Sequence, residues 1–398
     1  MKLVKPGRNL MNHLNYPQKF ALISSFFALP IILLTYLLFS ELQSRVDFTQ
    51  KELQGTQYLR PLRRLLEDTL KSKVASDRIT DTSKLSNQIT EFESKITSDI
   101  NKLKQLDQKF GKDLKTTDLL DSYQKTNEQF DILKGNQSSQ SISSIYRQSL
   151  QQLEDLWLQV GDQSNLILDP DLDTYYLMDA TLLKLPEIQR SLAEIQTISQ
   201  KESTQSELNP LDQAQLIALM GKLKQLNADL SRKMTVAFNN NPAENLRPKL
   251  LTRLQQLNQT IEQLTNQMDN LSLNPRSLQT ITYSKMAETS LQQSFSFWDE
   301  TIQELDFLLQ KRIDGFVNKQ QWITAFILIV LAIATYLFIC FYHGMMQVVS
   351  SLKTASQRMV DGNFKDAVTL SSHDELADVV RSFNTVADST LIQLIQMK

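Results

Sequence analysis

The sequence has few of the residues that interrupt helices. Its 398 residues include only 9 glycines and 10 prolines, whereas average usage is roughly 7% glycine and 5% proline. Hairpins, β-turns and phosphate-binding loops depend on these two residue types. Their scarcity argues against sandwiches, barrels and repeated βαβ units. We therefore expect an all-α protein with long helices.

Cysteine and histidine are also scarce. The single cysteine, Cys340, excludes an intramolecular disulfide, and the three histidines (His13, His343 and His373) are far apart, which excludes a compact histidine metal motif. With 42 basic and 44 acidic residues, no net positive charge points to nucleic acid. Walker motifs, dinucleotide fingerprints and nucleophile–base pairs are missing from the sequence. We expect no enzymatic activity, no cofactor and no metal.

Two windows, Phe20 to Phe39 and Trp322 to Tyr342, contain no charged residue over 20 and 21 positions. A helix needs about 20 apolar residues to cross a bilayer. The sequence therefore predicts transmembrane helices at residues 20–40 and 322–342. A cleaved signal peptide is the alternative for the first window, but its apolar stretch is long and no small-residue cleavage pattern precedes Glu41.

The flanking charges predict the orientation of these helices. Residues 1–19 contain four basic residues and no acidic residue, which places the N-terminus in the cytoplasm by the positive-inside rule. A second crossing returns residues 343–398 to the cytoplasm and leaves residues 41–321 outside. This outer segment contains no histidine, so a histidine-based zinc site or catalytic triad is excluded there.

Heptad spacing runs through residues 41–321 and predicts a helical bundle. The clearest seams are Leu250, Leu254, Leu257, Ile261, Leu264, Met268, Leu271; Leu216, Leu219, Leu223, Leu226, Leu230; and Tyr146, Leu150, Leu153, Trp157, Val160, Ser164, Ile167. The length favours an elongated arrangement of two stacked bundles over one long coiled coil. Breaks are expected at Gly111-Lys112, 134–139, Asp169-Pro170-Asp171, Asn209-Pro210, Asn239 to Pro242 and Asn274-Pro275.

The segment after the second apolar window, residues 343–398, reads as helix, connector and helix. The first helix ends at Asp361-Gly362, the connector runs to Ser372, and the second helix begins at His373-Asp374. Three features of this segment are distinctive: Gly362, the run from Asp374 to Leu376, and Phe383-Asn384. With these features the segment resembles the HAMP domain of bacterial transmembrane receptors. It departs from that family at Val348, where a proline is usual.

The resemblance implies a parallel four-helix bundle made by two chains, and hence a homodimer. It also implies a set of signal-relay residues: Leu352, Met359, Gly362, Asp374, Glu375, Leu376, Val379 and Phe383.

Three further stretches, residues 15–20, 58–62 and 166–179, resemble the sensory regions of methyl-accepting chemotaxis proteins and related transmembrane kinases. This resemblance implies a receptor in a bacterial inner membrane. The output module is expected to be of the chemotaxis type, with a kinase or a cyclic-nucleotide synthase as alternatives. Because the sequence stops at Lys398, we expect either a piece of a longer receptor or signalling through a cytoplasmic partner.

Nine residues of the outer segment are candidates for binding an external small molecule or protein: Tyr58, Arg60, Arg63, Arg64, Trp157, Asp171, Asp173, Tyr175 and Tyr176. The alternative roles are bundle core for the aromatic residues, an ion-paired face for the arginines and helix capping for the acids. The Asp169-x-Asp171-x-Asp173 spacing also matches the start of an EF-hand, but Thr174 and Ala180 occupy the positions that require Gly and Glu.

His373 lies in a sequence that looks like the phosphoacceptor box of a histidine kinase. Only 25 residues follow it, which is too few for an ATP-binding domain, so autophosphorylation within this chain is excluded.

The sequence thus indicates a dimeric transmembrane sensor that contacts lipid, an external ligand and cytoplasmic signalling proteins, but no nucleic acid. The alternative is a membrane-anchored helical scaffold that tethers other molecules and does not signal.

Overall fold

The computed structural model describes residues 5–78, 82–133, 139–202, 209–273, 280–363, 367–369 and 375–396. Within these ranges every regular element is helical, which confirms the all-α prediction. The helices are α1 (Lys5–Asn12), α2 (Tyr16–Arg78), α3 (Thr82–Leu114), α4 (Thr117–Leu133), α5 (Ser139–Gln163), α6 (Leu172–Met178), α7 (Leu185–Glu202), α8 (Pro210–Asn239), α9 (Leu246–Leu273), α10 (Thr280–Val360) and α11 (Glu375–Gln396).

The two apolar windows lie within the two longest of these helices. Helix α2 has 63 residues and continues through Pro30 and Pro61, and α10 has 81 residues. Each is long and apolar enough to cross a membrane, and none of either window is buried by the rest of the protein. Both predicted membrane helices are therefore present as candidates.

The chain divides into two compact units, Met1–Val317 and Asn318–Lys398. In the first unit, α2 packs against α3, α5 and α7, and α8 packs against α6, α7 and α9. Their buried side chains form one connected hydrophobic core. The domain boundaries deduced from the sequence (1–19, 20–40, 41–321, 322–342 and 343–398) stay predictions.

Where their side chains are described, the predicted heptad seams face this core; the side chains of Met268 and Leu271 lie outside that part of the structure. Leu250, Leu257 and Leu264 of α9 are completely buried, as are Leu223 and Leu230 of α8. The third seam holds as far as Ser164, but α5 ends at Gln163, so Ile167 lies in a 3₁₀ turn (Leu166–Leu168) and is 38% exposed. Apolar spacing therefore identified the core correctly where the helix is uninterrupted.

Two predicted breaks and one predicted helix cap need correction. Helix α3 does not stop at Gly111 but continues to Leu114, and the chain turns at Lys115, whose φ is 51°. Pro242 does not begin a helix, since α9 starts at Leu246. Asp171 is placed at the N-cap of α6 but makes no capping hydrogen bond through its side chain.

By contrast, Asn209 caps α8 as expected, since its Oδ1 accepts from the Leu211 amide at 3.0 Å. Residues 134–138 of the break predicted at 134–139, and the break predicted at Asn274-Pro275, lie outside the described residues.

Helices α6 and α7 are joined without interruption by a π-helical segment, Asp179–Lys184. The looser π geometry frees backbone groups for other partners, and the indole of Trp298 on α10 donates to the Thr181 carbonyl at 2.7 Å. Lys233 on α8 pairs with Asp179 at 2.9 Å. The segment is thereby tied to two neighbouring helices.

The second unit contains the end of α10 and all of α11, with a small core of Val348, Ala355, Val368 and Val380. Gly362 terminates α10 with a φ of 82°. Its amide bonds the Met359 carbonyl at 3.1 Å, and the Asn363 amide bonds the Arg358 carbonyl at 2.9 Å. This is the Schellman pattern, so the predicted glycine cap is confirmed.

A pair of glycine substitutions tests the packing of α2. A Cβ on Gly55 would lie 2.4 Å from Ser164 Oγ, whereas one on Gly221 of α8 would meet nothing within 4 Å. We expect Gly55→Ala to destabilise the protein by about 1–3 kcal/mol, and Gly221→Ala to stabilise it by roughly 0.5–1 kcal/mol. Thermal unfolding of the full chain measures both, and equal effects would contradict this packing.

Candidate functional site

The predicted aromatic candidates are mostly core residues. Tyr58 is completely buried and donates its hydroxyl to Asp107 at 3.1 Å, and burial raises the pKa of this phenol. Trp157 packs edge-to-face on Trp298, with 6.0 Å between ring centroids. Tyr175 and Tyr176 are half-buried and contact each other.

The three predicted arginines each have an acidic partner. Arg60 pairs with Asp306 of α10 at 2.5 Å, and Arg64 approaches Asp99 of α3 at 4.0 Å. Arg63 is buried; it pairs with Glu67 and with Asp299 of α10, and its guanidinium lies over the rings of Phe295 and Trp298. Arg60 and Arg63 therefore face α10 and Arg64 faces α3, and each arginine is balanced by an acidic partner.

The acidic candidates line a cleft of about 480 Å³ that we call the junction cleft. Asp171 is half-exposed there, and Asp173 is buried and accepts from the Asn241 side-chain amide at 3.0 Å. Arg312 and Lys311 of α10 complete the charged part of its wall. Among the described residues, no group of three or more His, Cys, Asp or Glu is placed to hold a metal ion.

Arg312 is the centre of the buried ionic cluster next to this cleft. Its Nη1 donates to Glu52 Oε2 of α2 at 3.1 Å, and its Nη2 donates to Asp169 Oδ1 at 2.8 Å. Nη2 also lies 2.8 Å from Asp171 Oδ2 and 2.6 Å from the Thr174 hydroxyl. We call Glu52, Asp169 and Arg312 the Arg312 junction.

The Arg312 junction ties together three parts of the first unit. Glu52 lies on α2, which contains the first apolar window, and Arg312 lies on α10, which contains the second. Asp169 lies on the loop before α6, where it also accepts from the Asp171 amide at 3.0 Å and the Thr174 hydroxyl at 2.8 Å. One guanidinium therefore links both helices that contain an apolar window to the same loop.

Burial dominates the electrostatics of the junction. The side chains of Glu52 and Asp169 are 0% exposed. Desolvation, followed by the charge of Asp169, raises the pKa of Glu52 to about 8 against the opposing effect of Arg312. Desolvation also raises the pKa of Asp169. One guanidinium is insufficient to keep both buried carboxyls ionised at neutral pH.

Sequence reasoning missed Glu52 and Arg312. The sequence did contain a signal, because each of these charged residues lies on the same helix face as a buried residue. Glu52 follows buried Thr49 by three residues, and Arg312 follows buried Leu309 by three. The acids at 169–173 were considered for capping. Asp171 instead pairs with Arg312, which lies 141 positions later in the sequence.

In the second unit, Asn384 of α11 holds the connector between the two helices. Its Oδ1 accepts from the Val368 amide at 2.9 Å, and its Nδ2 donates to the Val368 carbonyl at 2.9 Å. The Val368 side chain is thereby kept in the small core. This two-way bond gives Asn384 a specific structural role.

The relay residues predicted for this unit fall into two groups. Leu352, Leu376 and Phe383 pack against the small core, and Met359 is half-buried. Val379 is 52% exposed, whereas its neighbour Val380 is buried in the small core. Asp374 lies outside the described residues, as does the side chain of Glu375.

The buried carboxyls predict a pH dependence of stability. Because Glu52 keeps its proton in the folded protein up to about pH 8, its stabilising contribution is complete below about pH 4.5 and is lost as the pH rises through 8. The free energy of unfolding should fall by up to several kcal/mol over this window, at about 1.4 kcal/mol per pKa unit. Thermal unfolding against pH should show this slope flattened in Glu52→Gln and retained in Glu304→Gln. Identical slopes in all three proteins would refute the assignment.

Asn384→Ala tests the connector. It removes both bonds to Val368, so hydrogen exchange at residues 367–369 should accelerate and the second unit should lose about 1–3 kcal/mol. Thr385→Ala is the matched control, since the exposed Thr385 hydroxyl bonds only the Arg381 carbonyl of its own helix. Unchanged exchange in Asn384→Ala would show that the connector is held in some other way.

Comparison with known protein families identifies a domain in this second unit. Residues 349–391 match the HAMP domain, which agrees with the helix–connector–helix geometry and confirms that part of the sequence-based expectation. Searches of curated proteins and of solved structures return no match. The chain therefore contains a HAMP domain together with two candidate membrane helices.

Proposed function

We propose that this protein is a transmembrane signal transducer that detects an external stimulus with its helical bundle and relays it to the HAMP domain. The observation that carries the proposal is the extent of α10. This one helix contains Arg312, the second apolar window and the first twelve residues of the HAMP match, 349–360. An event at Arg312 and an event in the HAMP domain are thus linked by one uninterrupted helix.

A helix transmits displacement because its hydrogen bonds make it rigid along its axis. Signalling shifts of roughly 1–2 Å or small rotations are typical of packed helices. Arg312 is the residue of α10 that is bound to both α2 and the loop at Asp169. A stimulus that favours one arrangement of these partners would bias the two states of the receptor by its difference in affinity for them.

The proposed topology follows the charge distribution. The N-terminal segment and the HAMP domain lie in the cytoplasm, the bundle of residues 41–321 lies outside, and the membrane is a bacterial inner membrane. The junction cleft then faces the external medium, and Asp171 and Asp173 are the candidate ligand residues that reach it. The cleft volume, about 480 Å³, suits a small molecule.

We further propose a homodimer. On α11, Val379 and Val386 are 52% and 60% exposed and lie seven residues apart, on one face of the helix. A second HAMP domain packed in parallel would cover this apolar face, as the resemblance implies. The seven-residue spacing is that of a helix–helix seam.

The output is proposed to be of the chemotaxis type, through cytoplasmic signalling proteins, with a kinase or a cyclic-nucleotide synthase as alternatives. The chain itself is proposed to be neither an enzyme nor a nucleic-acid-binding protein. A tether that does not signal is not favoured, because a tether has no need for a HAMP domain.

The proposal is tested by breaking the junction and observing the HAMP domain. In full-length chain carrying Cys340→Ser and Val379→Cys, oxidation in membranes should give disulfide-linked dimers. Arg312→Ala leaves two buried carboxyls without their cation and should change the extent of cross-linking by roughly twofold or more.

Arg253→Ala is the control, because it removes an arginine of α9 paired at 2.8 Å with Glu300 of α10 at the bundle surface. It should leave the cross-linking unchanged. Equal cross-linking in the Cys340→Ser, Val379→Cys chain with and without Arg312→Ala would refute relay along α10. Absence of any cross-linked dimer both in this chain and in a matching chain with Val386→Cys in place of Val379→Cys would refute the homodimer.

A further inference from the structure

The Arg312 junction contains more buried acid than base. Nη1 and Nη2 of one guanidinium each bond one oxygen of a different carboxyl group, so the carboxyls of Glu52 and Asp169 are immediate neighbours. Both side chains are 0% exposed, and Arg312 itself is 10% exposed. Two buried negative charges against one positive charge leave an uncompensated charge, which is unfavourable without water.

The second oxygen of each carboxyl group strengthens this point. Glu52 Oε1 and Asp169 Oδ2 are buried, and neither accepts a hydrogen bond within the described part of the chain. Buried polar atoms are normally hydrogen-bonded. A proton held between the two carboxyls supplies the missing donor and removes the excess charge at the same time.

We propose that Glu52 and Asp169 share one proton in the resting receptor and that its release at higher external pH is a stimulus for this protein. This inference rests on the proposed function for its output and names the stimulus that the proposed function leaves open. The ligand of this site is the proton itself. The buried carboxyl pair is the receptor site.

Every element that packs on the pair contributes identifiable groups. Helix α10 contributes the charge of Arg312, and the loop contributes Asp171, whose carboxylate is 58% exposed and pairs with the same guanidinium. Helix α2 contributes the Thr49 hydroxyl, which favours the ionised form of Glu52. Helix α6 contributes the Thr174 hydroxyl.

The balance of these groups sets the working range. Burial and the adjacent carboxylate outweigh Arg312 and Thr49, so the pKa of Glu52 lies at about 8 instead of its ordinary 4.5. An external medium that moves from neutral to mildly alkaline therefore crosses the titration. The exposed Asp171 and the junction cleft provide the route by which the proton exchanges with solvent.

Release of the proton changes both the charge of the junction and its attachment to α10. Below the midpoint, the Glu52 carboxylic acid donates to Asp169, and the junction (one guanidinium, one carboxylate, one acid) is neutral. Above it, Glu52 gives its proton to water, the charge falls by one, and two carboxylates repel each other across Arg312. Since these carboxyls belong to α2 and to the loop, the repulsion loosens their common attachment to α10.

The experiment uses full-length chain with Cys340→Ser and a nitroxide on Val379→Cys, reconstituted in lipid nanodiscs. Distances between nitroxides of two copies are measured by pulsed spin resonance from about pH 6 to about pH 9. We expect a change with a midpoint near pH 8. A nitroxide is used because disulfide formation itself depends on pH.

Three variants separate titration of the pair from a general effect of pH. Glu52→Gln cannot release a proton and should abolish the change. Asp169→Asn leaves Glu52 alone with Arg312 and should lower the midpoint by at least about one pH unit. Glu304→Gln removes another buried carboxylate of α10, one paired with Lys249 at 2.7 Å, and should leave the response intact.

Infrared difference spectra between the two pH values provide an independent readout of the proton. The carbonyl band of a buried carboxylic acid should disappear at high pH, and this signal should be missing in Glu52→Gln. Absence of the band in the unaltered chain overturns the proposal, as does a band change without a change in nitroxide distances. If Arg312→Ala alters the HAMP domain in either case, the proposed relay stands and only the proton stimulus fails.

Discussion

The organisation of this protein depends on one guanidinium. Arg312 bonds Glu52 of α2 and Asp169 of the loop before α6; both carboxyl side chains are 0% exposed and the arginine is 10% exposed. Such clusters contribute little net stability when intact, because desolvation offsets attraction, but they are costly to break. The junction therefore fixes the position of α2 and α10 relative to the loop before α6, while the hydrophobic core provides most of the stability.

The long helices connect the Arg312 junction to distant parts of the chain. Helices α2 and α10 have 63 and 81 residues, and α3, α5 and α7 pack on α2. At the far end of α10, Gly362 ends the helix and Asn384 fixes the connector of the HAMP domain. Both features are local: one is a backbone turn at a glycine and the other a pair of side-chain hydrogen bonds.

Much of the fold could be predicted from the sequence, because it depends on local signals. The scarcity of glycine and proline predicted helices, uncharged windows predicted the membrane helices, and heptad spacing predicted buried residues such as Leu250 and Leu257. The junction could not be predicted in this way, since Glu52, Asp169 and Arg312 meet only through tertiary contacts. Asp171 illustrates the difference. Local rules predicted a helix cap, but its carboxylate pairs with Arg312, which is distant in the sequence.

The central claim is that the state of the junction reaches the HAMP domain along α10. The most direct test replaces Lys319 and Gln320 with glycines in the Val379→Cys chain, which weakens α10 between Arg312 and the second apolar window. The account predicts that Arg312→Ala then no longer alters dimer cross-linking at position 379. An undiminished effect of Arg312→Ala in this weakened chain would contradict relay through α10.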